Sequence, residues 1–199
     1  MTYTLRRYQS YQEYLDDDQL QPECDCRLLS TGELVKVSGE DDGNLWLASY
    51  LFALLLKVHG FSFFQLIRKG NKELQVHPVG DRRVNHKPDL LVMHPDHLQN
   101  AKQAITLGMS PPRFVAEVVS PGNESSDNYL RDYVWKRQQY EEWQIPEYWI
   151  IDPHREQLTV LILTNGRYQE MVYKGSADVV SPILNGFRLS VTQMFAGEI

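Results

Sequence analysis

The run Phe114-Val115-Ala116-Glu117-Val118-Val119 limits what this chain can become more than any other stretch, because it has the length of one strand and the near-continuous apolar character of a strand buried on both faces. Glu117 is its only charge. Burying a lone carboxylate is costly, so this one needs a partner or a metal ion. A second acid stands in a similar place: Pro88-Asp89-Leu90-Leu91-Val92-Met93 opens another apolar run with Asp89 at its mouth. Two such acids on adjacent strands would form a cradle for a cation.

After Ser120-Pro121-Gly122, the stretch Asp127 to Trp143 has helical periodicity, with Tyr129, Tyr133, Tyr140 and Trp143 along one stripe. Lys136 shares that stripe, so its ammonium group lies on the face predicted to turn toward the sheet.

With 199 residues, 42% of them hydrophobic, the chain is long enough to bury a substantial core, and one domain spanning 1–199 is the economical expectation. The start, Met1-Thr2-Tyr3-Thr4-Leu5-Arg6-Arg7, lacks the apolar stretch of a signal peptide, and Leu45 to Leu56 is too short and interrupted to span a bilayer. The expectation is a cytoplasmic protein without a membrane partner. Cys24-Asp25-Cys26 is awkwardly spaced for a mutual disulfide within a strand, which predicts reduced thiols. A zinc site would need His94 and His97 to join them, and a polar surface loop is the better reading. The formal net charge of −6 gives no global footprint for nucleic acid. Local basic groups, Arg82-Arg83, Lys87, Arg131, Lys136 and Arg137, are still available to line a groove, with solvated surface charge as their plainer use.

Along the chain, Tyr8 to Leu15 reads as a short helix and Arg27 to Val37 as two strands around a Ser-Thr-Gly turn, with Glu33 near the tip. Asp41 or Asp42 can cap a helix carrying Leu47, Leu51, Leu54, Leu55 and Val58 at helical spacing until Gly60. Phe61 to Ile67 and Leu74 to Val79 read as strands, followed by the Asp89 strand, an irregular Pro95 to Pro112 connection and the Glu117 strand. Beyond the Lys136 helix, Glu147 to Pro153 reads as a strand, then comes a hairpin turning at Asn165-Gly166. Helix, three or more strands, helix and strand make an α/β fold with a mixed sheet.

Five motifs occur in order: Gly32-Glu33-Leu34; Pro88-Asp89-Leu90; Glu117-Val118-Val119-Ser120-Pro121; Arg131-Asp132, three residues, Lys136, three residues, Tyr140; and Ile145-Pro146-Glu147-Tyr148-Trp149-Ile150-Ile151-Asp152-Pro153. Together they resemble the Uma-two family, bacterial proteins classed as restriction endonucleases, over roughly Tyr8 to Phe195. That family is placed in the PD-(D/E)XK nuclease superfamily. The resemblance implies a restriction-endonuclease-like α-β-β-β-α-β core, here with added N- and C-terminal β-hairpins. It implies Asp89 and Glu117 as the acids, Lys136 as the lysine, and Glu33 as the family's Gly-Glu element. The superfamily pattern puts its lysine two residues after the second acid, where this chain has Val119, so the lysine has to come from the next helix.

The activity implied is phosphodiester hydrolysis of DNA supported by Mg2+ or Mn2+, with Asp89, Glu117 and the Val118 carbonyl as metal ligands and a homodimer for double-strand cleavage. Plainer uses exist for each residue: Asp132 and Lys136 as a helix salt bridge, Glu117 as an ion-pair partner of Lys136 or Arg113, Asp89 as a turn residue and Glu33 as a surface residue. Two other functions stay open, a catalytically silent nucleic-acid- or protein-binding module and a metal-dependent phosphodiesterase acting on RNA or a small phosphodiester.

Overall fold

A computed structural model of the chain describes residues 7–20, 25–37, 42–120 and 122–196. In chain order these form α1 (Tyr11–Leu15), β1 (Cys26–Leu28), β2 (Leu34–Lys36), α2 (Asp42–His59), a 3-10 helix (Phe61–Gln65), β3 (Ile67–Arg68), β4 (Glu73–Gln75), β5 (Asn85–His86) and β6 (Leu90–Val92). They continue with α3 (His97–Asn100), β7 (Ala104–Ile105), β8 (Phe114–Val118), α4 (Asp127–Tyr129), a π-helical segment (Leu130–Trp135), α5 (Lys136–Glu142) and β9 (Glu147–Asp152). The C-terminal part supplies β10 (Gln157–Thr164), β11 (Arg167–Lys174), β12 (Asp178–Val180), β13 (Arg188–Ser190) and α6 (Val191–Ala196).

Six strands build the main sheet in the order β11-β10-β9-β8-β6-β3. β8 and β9 are parallel and the other pairs antiparallel, so the sheet is mixed. The parallel pair needs a crossover, and the helical stretch from Asp127 to Glu142 provides it. Within this frame α2, β3, β6, β8, α5 and β9 follow one another as the expected α-β-β-β-α-β unit. Side chains of β8 alternate between two cores, as a central strand's must. Phe114, Ala116 and Val118 face Leu47, Leu51 and Leu55 of α2, while Val115 and Val119 face Tyr140 and Trp143 on the α5 side. Glu117 shares the α5 side by parity.

Several local expectations hold: Gly60 (φ 79°) ends α2, and Asn165 (φ 52°) with Gly166 (φ 78°) makes the two-residue turn of the β10–β11 hairpin. Others need correction. Phe61 to Ile67 is a 3-10 turn leading into a two-residue strand, because after Gly60 the chain has to climb onto the edge of the sheet beside β6, and local β propensity yields to that path. Leu74 to Val79 reduces to β4, which belongs to a separate sheet of order β5-β4-β7. The Pro95 to Pro112 connection contains α3 and β7. Cys26 is disulfide-bonded, contrary to the expected free thiol; Cys24 and the capping candidate Asp41 lie outside the described residues. No helix among the described residues is long and apolar enough to cross a membrane.

Candidate active site

Antiparallel register sets the first half of the site. Leu90 pairs with Ala116, so the residue before β6, Asp89, comes opposite Glu117 on the α5 side of the sheet. Asp89 lies just beyond the last ladder rung, and its Oδ2 accepts from the Val118 N–H at 2.6 Å, replacing the backbone carbonyl a longer β6 would offer. Pro88, the next residue back, has no N–H to give the Val118 carbonyl. Its own carbonyl accepts from the Gly70 N–H at 3.1 Å, which ties the turn after β3 to this edge of the site. Both acids are buried, Glu117 to 1% exposure and Asp89 to 8%.

The helix after β8 sets the second half. Lys136 Nζ lies 2.9 Å from Glu117 Oε2 and 3.0 Å from Asp132 Oδ1, and its side chain is 12% exposed. The stripe therefore does turn the lysine toward the sheet, where it pairs with Glu117, the partner that the plainer ion-pair reading named. Tyr140, one turn on, donates its hydroxyl to Glu117 Oε1 at 2.6 Å, so each oxygen of Glu117 has its own donor. The stripe is not a straight α-helical one. Across the π-helical segment the extra residue per turn rolls Asp132 inward to 1% exposure, where the Ser120 N–H reaches its Oδ2 at 3.3 Å and Tyr148 donates to its main-chain carbonyl at 3.1 Å. Tyr133 turns instead to Asp152, donating at 2.6 Å.

Burial pushes the Glu117 carboxyl up to about 7, against the pull of Lys136, with the charge of Asp89 adding to the rise. Burial also disfavours the Lys136 ammonium, but Asp132, Glu117 and Asp89 outweigh it and hold the amine protonated well above its usual range. Tyr140 is raised well above the usual phenol value, first by burial and then by the Glu117 charge, so it stays a donor.

The Uma2 family, described as "Putative restriction endonuclease", matches residues 9–192. The chain belongs to this family. It is also similar in fold to a solved structure described as a putative nuclease belonging to DUF820 from Anabaena variabilis ATCC 29413, with a TM-score of 0.58 at 14% identity over 86% of this chain and 89% of that one. No curated protein matches the chain.

The Uma2 match takes in Glu33, Asp89, Glu117 and Lys136. The fold brings the last three together. Glu33 sits on the N-terminal hairpin, where Arg7 reaches its Oε1 at 2.9 Å and the Thr31 hydroxyl its Oε2 at 2.9 Å, and it shares no bond with Glu117 or Lys136. Two polar residues beside the Glu117–Lys136 pair had no sequence signal. Gln139 packs next to Tyr140 and its Oε1 meets His86 Nε2 at 2.7 Å, while its Nε2 donates to the His77 carbonyl at 2.9 Å. Burial, then the charge of Lys136, push the His86 imidazole well below its usual value, so it is neutral.

Among the described residues no three His, Cys, Asp or Glu side chains converge as a preformed ion cage. The donors available to a cation are two carboxylates and one carbonyl, Asp89, Glu117 and Val118. Such a sparse, hard-oxygen set suits Mg2+ or Mn2+, since Mg2+ keeps several waters and takes few protein ligands. The strong desolvation of Glu117 beside Asp89 also fits a site that gains from added positive charge.

Proposed function

We propose that this Uma2 protein is a divalent-metal-dependent DNA endonuclease in which Asp89, Glu117 and the Val118 carbonyl hold Mg2+ or Mn2+ and Lys136 is the cationic catalytic group. One observation carries the reading: Asp89 and Glu117 face each other across β6 and β8, and the helix after β8 places Lys136 Nζ 2.9 Å from Glu117. A divalent cation there would acidify an attacking water and neutralise charge developing on the phosphate. The protein's own groups prepare the rest. The Val118 N–H fixes Oδ2 of Asp89 at the edge of the sheet. Tyr140 and Lys136 fix the rotamer of Glu117. Lys136, kept as an ammonium by its acids, supplies a positive charge for the scissile phosphate without giving up a proton. Two sites are needed to cut both strands of a duplex, so the working form is a homodimer of single-domain chains, and a strictly monomeric species in sedimentation would count against that.

The deciding assay is cleavage of supercoiled and linear DNA, with RNA alongside, in Mg2+ or Mn2+. Wild type is compared with Asp89→Ala, Glu117→Ala, Lys136→Ala and Glu33→Ala. Cutting that disappears in the first three supports the endonuclease, and Glu33→Ala tells whether the hairpin acid reaches the reaction. Cutting that ignores all the substitutions, or the metal, sinks it. One observation favours a second reading: both oxygens of Glu117 are already engaged, by Tyr140 and Lys136, as in a structural ion-pair network. A catalytically silent binding module on the same fold would then show no Mn2+ binding by calorimetry and no cutting of either nucleic acid.

A further inference from the structure

The turn from Val79 to Val84 is a short strap fastened on two sides. On the helix side, Gly80 lies so close to Trp135, the residue before Lys136, that a Cβ added there would fall 2.1 Å from the indole Cε2. Gln139 Nε2 donates to the His77 carbonyl at 2.9 Å and to the Arg83 carbonyl at 3.4 Å. On the hairpin side, the Ser30 N–H donates to the Arg82 carbonyl at 2.8 Å, the Val84 N–H to the Leu28 carbonyl at 2.9 Å, and Leu29 bridges to Arg83. The strap thus holds a fixed position relative to Lys136 and to the N-terminal hairpin.

Two arginines ride on it. Arg82 has φ 62°, a left-handed backbone that long L side chains rarely adopt, and the strap's hydrogen bonds keep it there with the side chain exposed and without an ion-pair partner among the described residues. Arg83, its side chain 18% exposed, is oriented by Asp81 at 3.0 Å. Arg131, on the helix beside it, is 17% exposed and oriented by Asp132 at 3.4 Å and Asn128 at 3.1 Å. Burial lowers the Arg83 guanidinium from its usual value; Asp81 opposes this, and the like charges of Arg131 and Arg27 add to it. Cations from three elements therefore share one neighbourhood in a chain whose net charge is −6. Arg137 and Arg167 pair instead with Glu170 and Glu141, on the side of β11 and the end of α5.

We propose that Arg82, Arg83 and Arg131 form a phosphate-binding rim that grips the DNA backbone beside the acid pair. The inference rests on the endonuclease reading and adds the surface that receives the substrate. Guanidinium forks match phosphate oxygens in direction as well as charge, and such contacts bind any sequence.

The test is fluorescence anisotropy of a short labelled duplex in EDTA, where no cutting complicates binding, over a series of salt concentrations. Wild type is compared with Arg82→Asn, which tolerates the left-handed backbone, Arg83→Gln, Arg131→Gln and the distant Arg188→Gln on β13. Each rim substitution is expected to weaken binding several-fold and to flatten the slope of log K against log salt by about 0.9, the value of one lost phosphate contact. Arg188→Gln leaves both unchanged. Folded Arg82→Asn and Arg83→Gln proteins with wild-type slope and affinity overturn the rim, and Arg82→Asn decides the matter where Arg83→Gln disturbs the Asp81 pair. A wild type that cuts plasmid but binds duplex without salt dependence also overturns the rim while the nuclease reading stands. Flattened slopes in a protein that never cuts support the rim and move the fold to the binding module.

Discussion

At Lys136 a single ammonium serves two buried carboxylates, Glu117 at 2.9 Å and Asp132 at 3.0 Å, so this is not a surface pair whose worth is near zero. Removing the lysine leaves two desolvated acids facing each other's field. Lys136→Met is expected to destabilise the fold by about 3–5 kcal/mol in chemical denaturation, and Glu117→Gln added to it is expected to recover part of that. A neutral Lys136→Met would mean that the acids relax into solvent and that the network is not structural. The i, i+4 spacing of Asp132 and Lys136 was visible in the sequence, and so was the option that Glu117 pairs with Lys136. That both happen at one nitrogen was not visible, because it depends on how the helix packs against β8 in the tertiary structure. Gln139 and His86 carried no signal for a related reason: a buried polar residue looks like a surface residue until its partner is known, and these partners are 53 residues apart.

Among the elements, the strap is the one whose geometry a single residue controls. Gly80 has φ 34° and no room for a Cβ against Trp135, so Gly80→Ala has to displace either the indole or the strap. The expected cost is about 1–3 kcal/mol. At about 2–4 °C per kcal/mol for a chain of this size, a thermal melt should fall by several degrees. An unchanged melting temperature would show that Trp135 can swing away and that the strap is not clamped. Helices α2 and α5 and strands β8 to β11 were legible from periodicity, because their apolar residues repeat over enough positions to define a face. The 3-10 turn at Phe61–Gln65 was not. Five residues rich in phenylalanine satisfy the strand pattern equally well, and only the route from Gly60 to the sheet edge decides between them.

For the molecule as a whole, Glu147 joins the end of the chain to the main sheet. This fully buried carboxylate accepts from Ser181 Oγ at 2.6 Å, Trp149 Nε1 at 2.7 Å and the Ile183 N–H at 3.2 Å, all neutral donors. Burial raises its pKa above the usual 4.5, and these three hydrogen bonds offset only part of the rise. A raised folded-state value means that Glu147 contributes its full stability below the unfolded pKa and loses it as pH climbs through the folded one. Urea midpoints from about pH 4 to about pH 8 should therefore show wild type declining relative to Glu147→Gln, which has no proton to lose. A difference between the two that stays constant with pH would show that Glu147 does not titrate in this window.

The sequence by itself determined the α/β order, the central strand with its trapped acid, and the lysine on the helix face turned toward that strand. It could do so because strand burial and helix faces follow from local spacing. Tertiary structure alone decided that Asp89 lies one step past the β6 ladder with Val118 as its donor, that Asp132 shares Lys136 with Glu117, and that the Arg82-Arg83 strap is pinned beside them. Register, a shift in helical turn and contacts across tens of residues fix those relations, and none of the three leaves a repeat in the order of amino acids.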